Sequence, residues 1–204
     1  MPLVVITGGM RSGKSRASQR LAFSLLADGQ AVTVAVFARV GSDPELADRV
    51  ARHKTLRPQG FATLEATDSA EWFERVPAES VLVVDCLGTL LGRIMEECWV
   101  RTVGGDLAEA GSSTLPAGFA ALVHDEFSAR LDRLLARPGN TIVVTNEVGS
   151  SVVPEWASAR LFADELGDAN KRLVGDADSA YLAVCGRLIS LAELPVDACW
   201  PEDV

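Results

Sequence analysis

The sequence predicts a three-layer α/β fold, a mainly parallel β-sheet with helices packed on both faces. Three observations predict it. Short apolar, β-branched runs recur along the chain and alternate with stretches of helical spacing, the pattern of successive βαβ units. The first run passes directly into Gly8-Gly9-Met10-Arg11-Ser12-Gly13-Lys14-Ser15 and then into a helical pattern. Strand, glycine-rich loop and helix in that order build a phosphate site. Finally, 204 residues, 48% hydrophobic and 23% charged, suffice for one domain with a sizeable core.

Residues 3–6, Leu-Val-Val-Ile, form a strand of the fully buried type. The next eight residues fit Gly-x-x-x-x-Gly-Lys-Ser, the P-loop pattern. Polyphosphate oxygens need several backbone N–H donors converging on one point, and glycine allows both the φ values and the close approach. Gly8, Gly9, Met10, Arg11, Ser12 and Gly13 are therefore expected to wrap phosphate. Lys14 is expected to bridge the β- and γ-phosphates, and the Ser15 hydroxyl to ligate Mg²⁺. The helix over 16–26 sets Ala17, Leu21 and Leu25 beside Ala22 and Leu26, and aims its positive end at the same anion. An ordinary tight β–α turn is the plainer reading; a strand before and a helix after weigh against it.

Asp28-Gly29 closes that helix, and 31–37 is a second buried strand. Gly41-Ser42-Asp43-Pro44 reads as a helix start, with Leu46 and Val50 on the buried stripe and an end near His53, before Arg57-Pro58. Residues 61–64 form a short strand. Asp68-Ser69-Ala70-Glu71 resembles a capping box ahead of Trp72, Phe73 and Val76. The run 81–85, Val-Leu-Val-Val-Asp, is the third strong strand, followed by helical spacing over 89–100. The segment 104–118 is rich in Gly, Ser and Ala and reads as an exposed excursion. A helix follows over 119–137, with Phe127, Leu131, Leu134 and Leu135 on one face. Then come a strand over 141–145, a helix over 154–174, and two strands, 180–185 and 187–191, turning at Gly186. Nothing repeats and no linker interrupts, so 1–204 reads as a single domain. In such a sheet, ligands sit at the carboxyl ends of the strands.

A net charge of −9 argues against nucleic acid or an anionic membrane as partner, so any bound anion must be held by local cations. No run approaches the ~18–20 apolar residues needed to cross a bilayer. The N-terminus enters a strand without a basic flank or cleavage site, which predicts a cytoplasmic protein. Cys86, Cys98, Cys185 and Cys199 show no Cys-x-x-Cys spacing and only two histidines exist. A structural zinc site is not expected, and the thiols should be reduced.

Two constellations carry further chemistry. Asp85 ends a buried strand, where P-loop enzymes place a carboxylate to organise Mg²⁺. It could equally contact the nucleotide sugar or base, or simply cap the turn. The second is Arg52-His53-Lys54-Thr55-Leu56-Arg57-Pro58. Its cations disfavour imidazolium, whereas a helix C-terminus favours it. A neutral imidazole can attack phosphorus while the cations hold phosphate oxygens. On spacing alone, a solvated basic helix end with an incidental histidine is the simpler reading. His124 lacks such company and is expected to be structural.

The motifs together resemble one family. GGMRSGKS at 8–15, Arg-x-x-Arg-His-Lys-x-x-Arg-Pro over 49–58, VLVVDCL at 81–87 and TNEVGSSVVPE at 145–155 stand in its order and spacing. Asp164-x-x-Gly167-x-x-Asn170 and Ala177-Asp178 extend the match over nearly the whole chain. The family is the bifunctional adenosylcobinamide kinase / adenosylcobinamide-phosphate guanylyltransferase of cobalamin biosynthesis. The resemblance implies a RecA-like P-loop fold, a homotrimer, and adenosylcobinamide and its phosphate as partners, with ATP or GTP as substrates. It implies phosphorylation of adenosylcobinamide, then attack of a histidine on the α-phosphate of GTP and transfer of GMP to the corrinoid phosphate. His53 falls on the guanylylated position, which reverses the simpler reading. Lys54, Thr55, Leu56 and Arg57 fall on nucleotide contacts beside it, and Glu65 and Asp85 on two acidic contacts, Asp85 replacing a frequent Glu. Phe37, Ala38 and Arg39 fall on a nucleotide-contacting stretch where the family commonly has Ala-Thr-Ser or Ala-Thr-Ala, so a side-chain hydroxyl is lost there and the expected contact is through the backbone. The 104–118 excursion also differs; it borders either the corrinoid site or a subunit contact. A P-loop small-molecule kinase without nucleotidyl transfer, and a non-catalytic nucleotide-dependent switch, are the competing functions.

Overall fold

The apolar runs become the strands of one seven-stranded sheet in the computed structural model, which describes residues 3–37, 59–105, 107, 114–192 and 194. The strands are β1 (Leu3–Gly8), β2 (Val32–Val36), β3 (Phe61–Glu65), β4 (Val81–Asp85), β5 (Thr141–Val144), β6 (Ser179–Val184) and β7 (Arg187–Ser190). Their order across the sheet is β3-β2-β4-β5-β1-β6-β7. All neighbours pair in parallel except β6 and β7, which form an antiparallel hairpin. β5 thus lies between the strand that leads into the P-loop and the strand that ends in Asp85. This is the mainly parallel sheet that the sequence predicts.

The four α-helices among the described residues are α1 (Lys14–Ala27), α2 (Leu87–Thr102), α3 (Phe119–Leu135) and α4 (Ala157–Asp176). The unbroken apolar character of the strands follows from burial on both faces. Alternate residues feed two separate cores. Val5, Leu82, Val84 and Val143 pack beneath α2, α3 and α4 with Leu90, Phe127 and Leu166. Val4, Ile6, Val83 and Ile142 pack beneath α1, where Ala22 is fully buried.

Side-chain hydrogen bonds shift several element ends from their predicted places. α2 opens at Leu87 because Cys86 and Thr89 make a reciprocal capping box, with a cysteine where serine or threonine is usual. Asp68 Oδ1 accepts from the N–H groups of Ala70 and Glu71, yet only one 3-10 turn, Trp72–Arg75, follows. Trp72 is buried there, edge-on to Phe37 at 4.9 Å between ring centres. α3 stops at Leu135 because Arg137 turns inward instead of continuing the helix. Its guanidinium donates to the carbonyls of Pro77, Ala78, Ser80 and Asn140, sewing the entrances of β4 and β5 together. α4 starts at Ala157, and Arg160 takes up the carbonyls of Pro154 and Glu155. Of the 104–118 excursion, Leu107 and Leu115 pack against the larger core, while 106 and 108–113 lie outside the described residues. The helix predicted from 41–44 to His53 also lies outside them. No described helix is long and apolar enough to cross a membrane.

Candidate functional site

β1 delivers the P-loop to the carboxyl edge of the sheet, and close packing explains its glycines. Gly8 has φ 150°, and a Cβ there would stand 2.4 Å from the Ala183 carbonyl oxygen of β6. Gly13 has φ 104°, and a Cβ would meet Gly186 Cα at 3.2 Å. The Gly186 N–H donates to the Ser12 carbonyl at 2.8 Å, so the β6–β7 turn backs the loop. Only glycine fits this approach of backbone to backbone.

Lys14 is 8% exposed, and its Nζ donates to the carbonyls of Gly8 and Gly9, both at 2.7 Å. Burial pushes its pKa down, partly offset by the negative charge of the Asp85 carboxylate nearby. An ammonium held inside a loop of phosphate-binding shape is positioned to exchange loop carbonyls for phosphate oxygens. The hydroxyls of Thr7 and Ser12 are buried without a partner among the described residues, which leaves two more polar groups at the loop. Ser15, on the first turn of α1, donates from Oγ to Asp85 Oδ1 at 3.4 Å. A hydroxyl and a carboxylate side by side are hard oxygen donors, and this pair fits Mg²⁺.

The exit of β5 forms the floor between them. The N–H groups of Thr145 and Glu147 donate to the carbonyls of Ile6 and Gly8, tying the exit to the P-loop strand. Thr145 Oγ1 donates to Asn170 Oδ1 at 2.6 Å, and Asn170 Nδ2 donates to the Asn146 carbonyl at 2.9 Å. Cys86 Sγ donates to Asn146 Oδ1 at 3.4 Å. Burial pushes the Cys86 thiol up, so it stays protonated and remains a donor. Asn146 and Asn170 stand within the sequence motifs above, which assign neither a role. The available signal was Asn170 itself, a polar residue in the buried Leu166, Ala169, Leu173 stripe of α4.

The structure therefore brings Gly8, Gly9, Met10, Arg11, Ser12, Gly13, Lys14, Ser15 and Asp85 to one place. Other predicted residues lie farther along the same edge. Glu65 ends β3 opposite Val36, four inter-strand spacings from β1 or roughly 19 Å. The Phe37 ring is buried against Trp72, and its carbonyl accepts from Arg93 Nη2 at 3.2 Å. Ala38, Arg39, His53, Lys54, Thr55, Leu56 and Arg57 lie outside the described residues. His124 Nδ1 meets Glu165 Oε2 at 3.1 Å, pinning α3 to α4. Cys86, Cys98 and Cys185 are free thiols, and no group of three metal-binding side chains occurs among the described residues.

Residues 4–191 match the family described as cobinamide kinase / cobinamide phosphate guanyltransferase. The bifunctional adenosylcobalamin biosynthesis protein CobU of Salmonella typhimurium is 30% identical over 190 residues, covering 90% of this chain and 96% of that protein. The bifunctional adenosylcobalamin biosynthesis protein CobP of Pseudomonas aeruginosa is 31% identical over 194 residues, covering 94% and 98%. Among solved structures, a KaiC-like protein of Pyrococcus horikoshii OT3 is similar at a TM-score of 0.47 and 15% identity, over 89% of this chain and 70% of that one.

Proposed function

The chain belongs to the cobinamide kinase / cobinamide phosphate guanyltransferase family, and on that premise we propose that it catalyses both reactions on one domain. In the first, the hydroxyl oxygen of adenosylcobinamide bonds to the γ-phosphorus of ATP or GTP. The bond to the bridging oxygen breaks, the nucleoside diphosphate leaves and the hydroxyl proton passes to solvent. In the second, a His53 ring nitrogen bonds to the α-phosphorus of GTP and pyrophosphate leaves. An oxygen of the corrinoid phosphate then displaces the histidine, giving adenosylcobinamide-GDP.

The observation that carries this reading is the Lys14, Ser15 and Asp85 cluster at the P-loop. Lys14 and the loop N–H groups neutralise and orient the β- and γ-phosphates. Positioning and charge stabilisation make up most of what a protein contributes to phosphoryl transfer. Ser15 and Asp85 would hold Mg²⁺, which neutralises developing charge on the phosphates when bound. Arg57 and Lys54 supply cations beside His53, with Glu65, Phe37, Ala38 and Arg39 farther round the nucleotide. The enzyme works as a cytoplasmic homotrimer without a nucleic-acid partner.

Labelling with α-³²P-GTP tests the second reaction. Protein-bound label that is acid-labile, alkali-stable and lost in His53→Asn is the expected result. Phosphorylation of cobinamide with no protein label would leave a small-molecule kinase alone, and tight nucleotide binding without either product would leave a switch.

A further inference from the structure

The segment that leaves β5 starts against the P-loop and holds apolar side chains out into solvent. Its entrance is fixed. The Glu147 N–H donates to the Gly8 carbonyl, Asn170 clamps the Asn146 carbonyl, and Val148 packs against the larger core. Local bonds stiffen its middle, from the Gly149 N–H to Glu147 Oε1 at 2.7 Å and from Ser151 Oγ to the Val148 carbonyl at 3.0 Å. Its exit is fixed as well, by Arg160 on the carbonyls of Pro154 and Glu155. Between these anchors Val152 is 91% exposed and Val153 75%, and Trp156 is half exposed where α4 begins. Met10, on the P-loop itself, is 75% exposed.

Single exposed apolar residues are ordinary, but neighbouring ones held outward on a segment anchored at both ends mark a contact. α4 runs from here back to the amino edge, where the Asp178 N–H meets the Leu3 carbonyl, so its start lies at the carboxyl edge with the P-loop. The start of α4 and the P-loop thus share one edge of the sheet, joined where the Glu147 N–H donates to the Gly8 carbonyl.

We infer that Val152, Val153 and Trp156, with Met10, form the surface on which the acceptor's macrocycle rests during phosphoryl transfer. This rests on the reading that the acceptor is a cobinamide. Such an acceptor carries its hydroxyl on a short arm, while its bulk is a broad ring with methyl and methylene groups on its faces and amides at its rim. With the hydroxyl in line with the γ-phosphate, the ring must lie on the protein surface next to the P-loop. The apolar segment meets its faces there, and the rim amides stay in water.

The test is a Val152→Ser/Val153→Ser double variant of the full chain, assayed as a kinase beside the wild type. The expected result is a KM for cobinamide raised on the order of tenfold or more. Affinity for a fluorescent ATP analogue and the sedimentation coefficient stay unchanged. Val152→Ile/Val153→Ile restores KM, and Phe23→Ser, which removes a half-exposed aromatic on α1, leaves it alone. An unchanged KM in the double variant overturns the inference, as does a change in oligomeric state, which would make the surface a subunit contact. A wild-type protein that never phosphorylates cobinamide would instead overturn the function on which the inference rests.

Discussion

Two cations are buried among the described residues, one at each edge of the sheet, and they are held in opposite ways. At the amino edge Arg137 is 9% exposed, and its guanidinium is saturated by four backbone carbonyls and Thr141 Oγ1. These acceptors belong to the entrances of β4 and β5, backbone that the sheet itself holds in place. At the carboxyl edge Lys14 is equally buried, but both its partners are carbonyls of its own loop. Buried hydroxyls without partners among the described residues lie beside it. A planar five-donor group fixed by rigid backbone is a staple, whereas a compact ammonium borrowing loop carbonyls can transfer to a ligand. Burial alone does not separate structure from function; the origin of the partners does.

Exchanging each cation breaks the comparison most severely. Lys14→Ala should lower the rate of cobinamide phosphorylation by about 10²–10³-fold or more, with the melting temperature nearly unchanged. Rates at saturating nucleotide together with calorimetry check this, and a large loss of stability would make Lys14 a second staple. Arg137→Ala should do the reverse. Removing the donor from several buried carbonyls should cost about 2–4 kcal/mol, a fall in Tm of roughly 5–15 °C, while turnover per folded molecule persists. Chemical denaturation and activity at low temperature measure both sides.

Asn170 sharpens the contrast because it lies between these extremes. It is buried like a core residue, yet its bonds end at Asn146 on the floor of the site. Asn170→Ala should destabilise by about 1–3 kcal/mol and also slow phosphoryl transfer by roughly tenfold at unchanged nucleotide affinity. A stability loss with full turnover would place it with Arg137.

The smallest effect concerns Glu126, a carboxylate outside both regions. Its pKa is lowered by the hydrogen bond from Arg101, with Arg130 adding to the effect. A carboxylate whose folded pKa is depressed contributes stability above its unfolded value of 4.5, and that contribution is lost as pH falls through the lowered value. Glu126→Gln should therefore cost about 0.5–1 kcal/mol near neutral pH, a difference that vanishes in acid. Urea midpoints of both proteins at neutral and acid pH give the comparison.

Much of this was legible in the sequence, for identifiable reasons. Strands buried on both faces read as unbroken apolar runs, so 3–6, 31–37, 81–85 and 141–145 announced the sheet. The P-loop was legible because every residue type in it answers a local demand, and Asp85 because a carboxylate ending an apolar strand is costly without a task. Helix ends were less legible, since they depend on side chains such as Cys86, Thr89 and Arg160 finding particular backbone atoms. The floor made by Cys86, Asn146 and Asn170 was not legible at all. It joins three elements that meet only when β5 slots between β1 and β4. His53 stood out through a resemblance rather than through physics, because its neighbours in sequence also suit a solvated helix end.

The most direct test of the account is the product formed from cobinamide with GTP as the sole nucleotide, read by mass spectrometry. Wild-type protein should yield cobinamide-GDP, His53→Asn should stop at cobinamide phosphate, and Lys14→Ala should form neither. Cobinamide-GDP from His53→Asn, or cobinamide phosphate at the wild-type rate from Lys14→Ala, would contradict it.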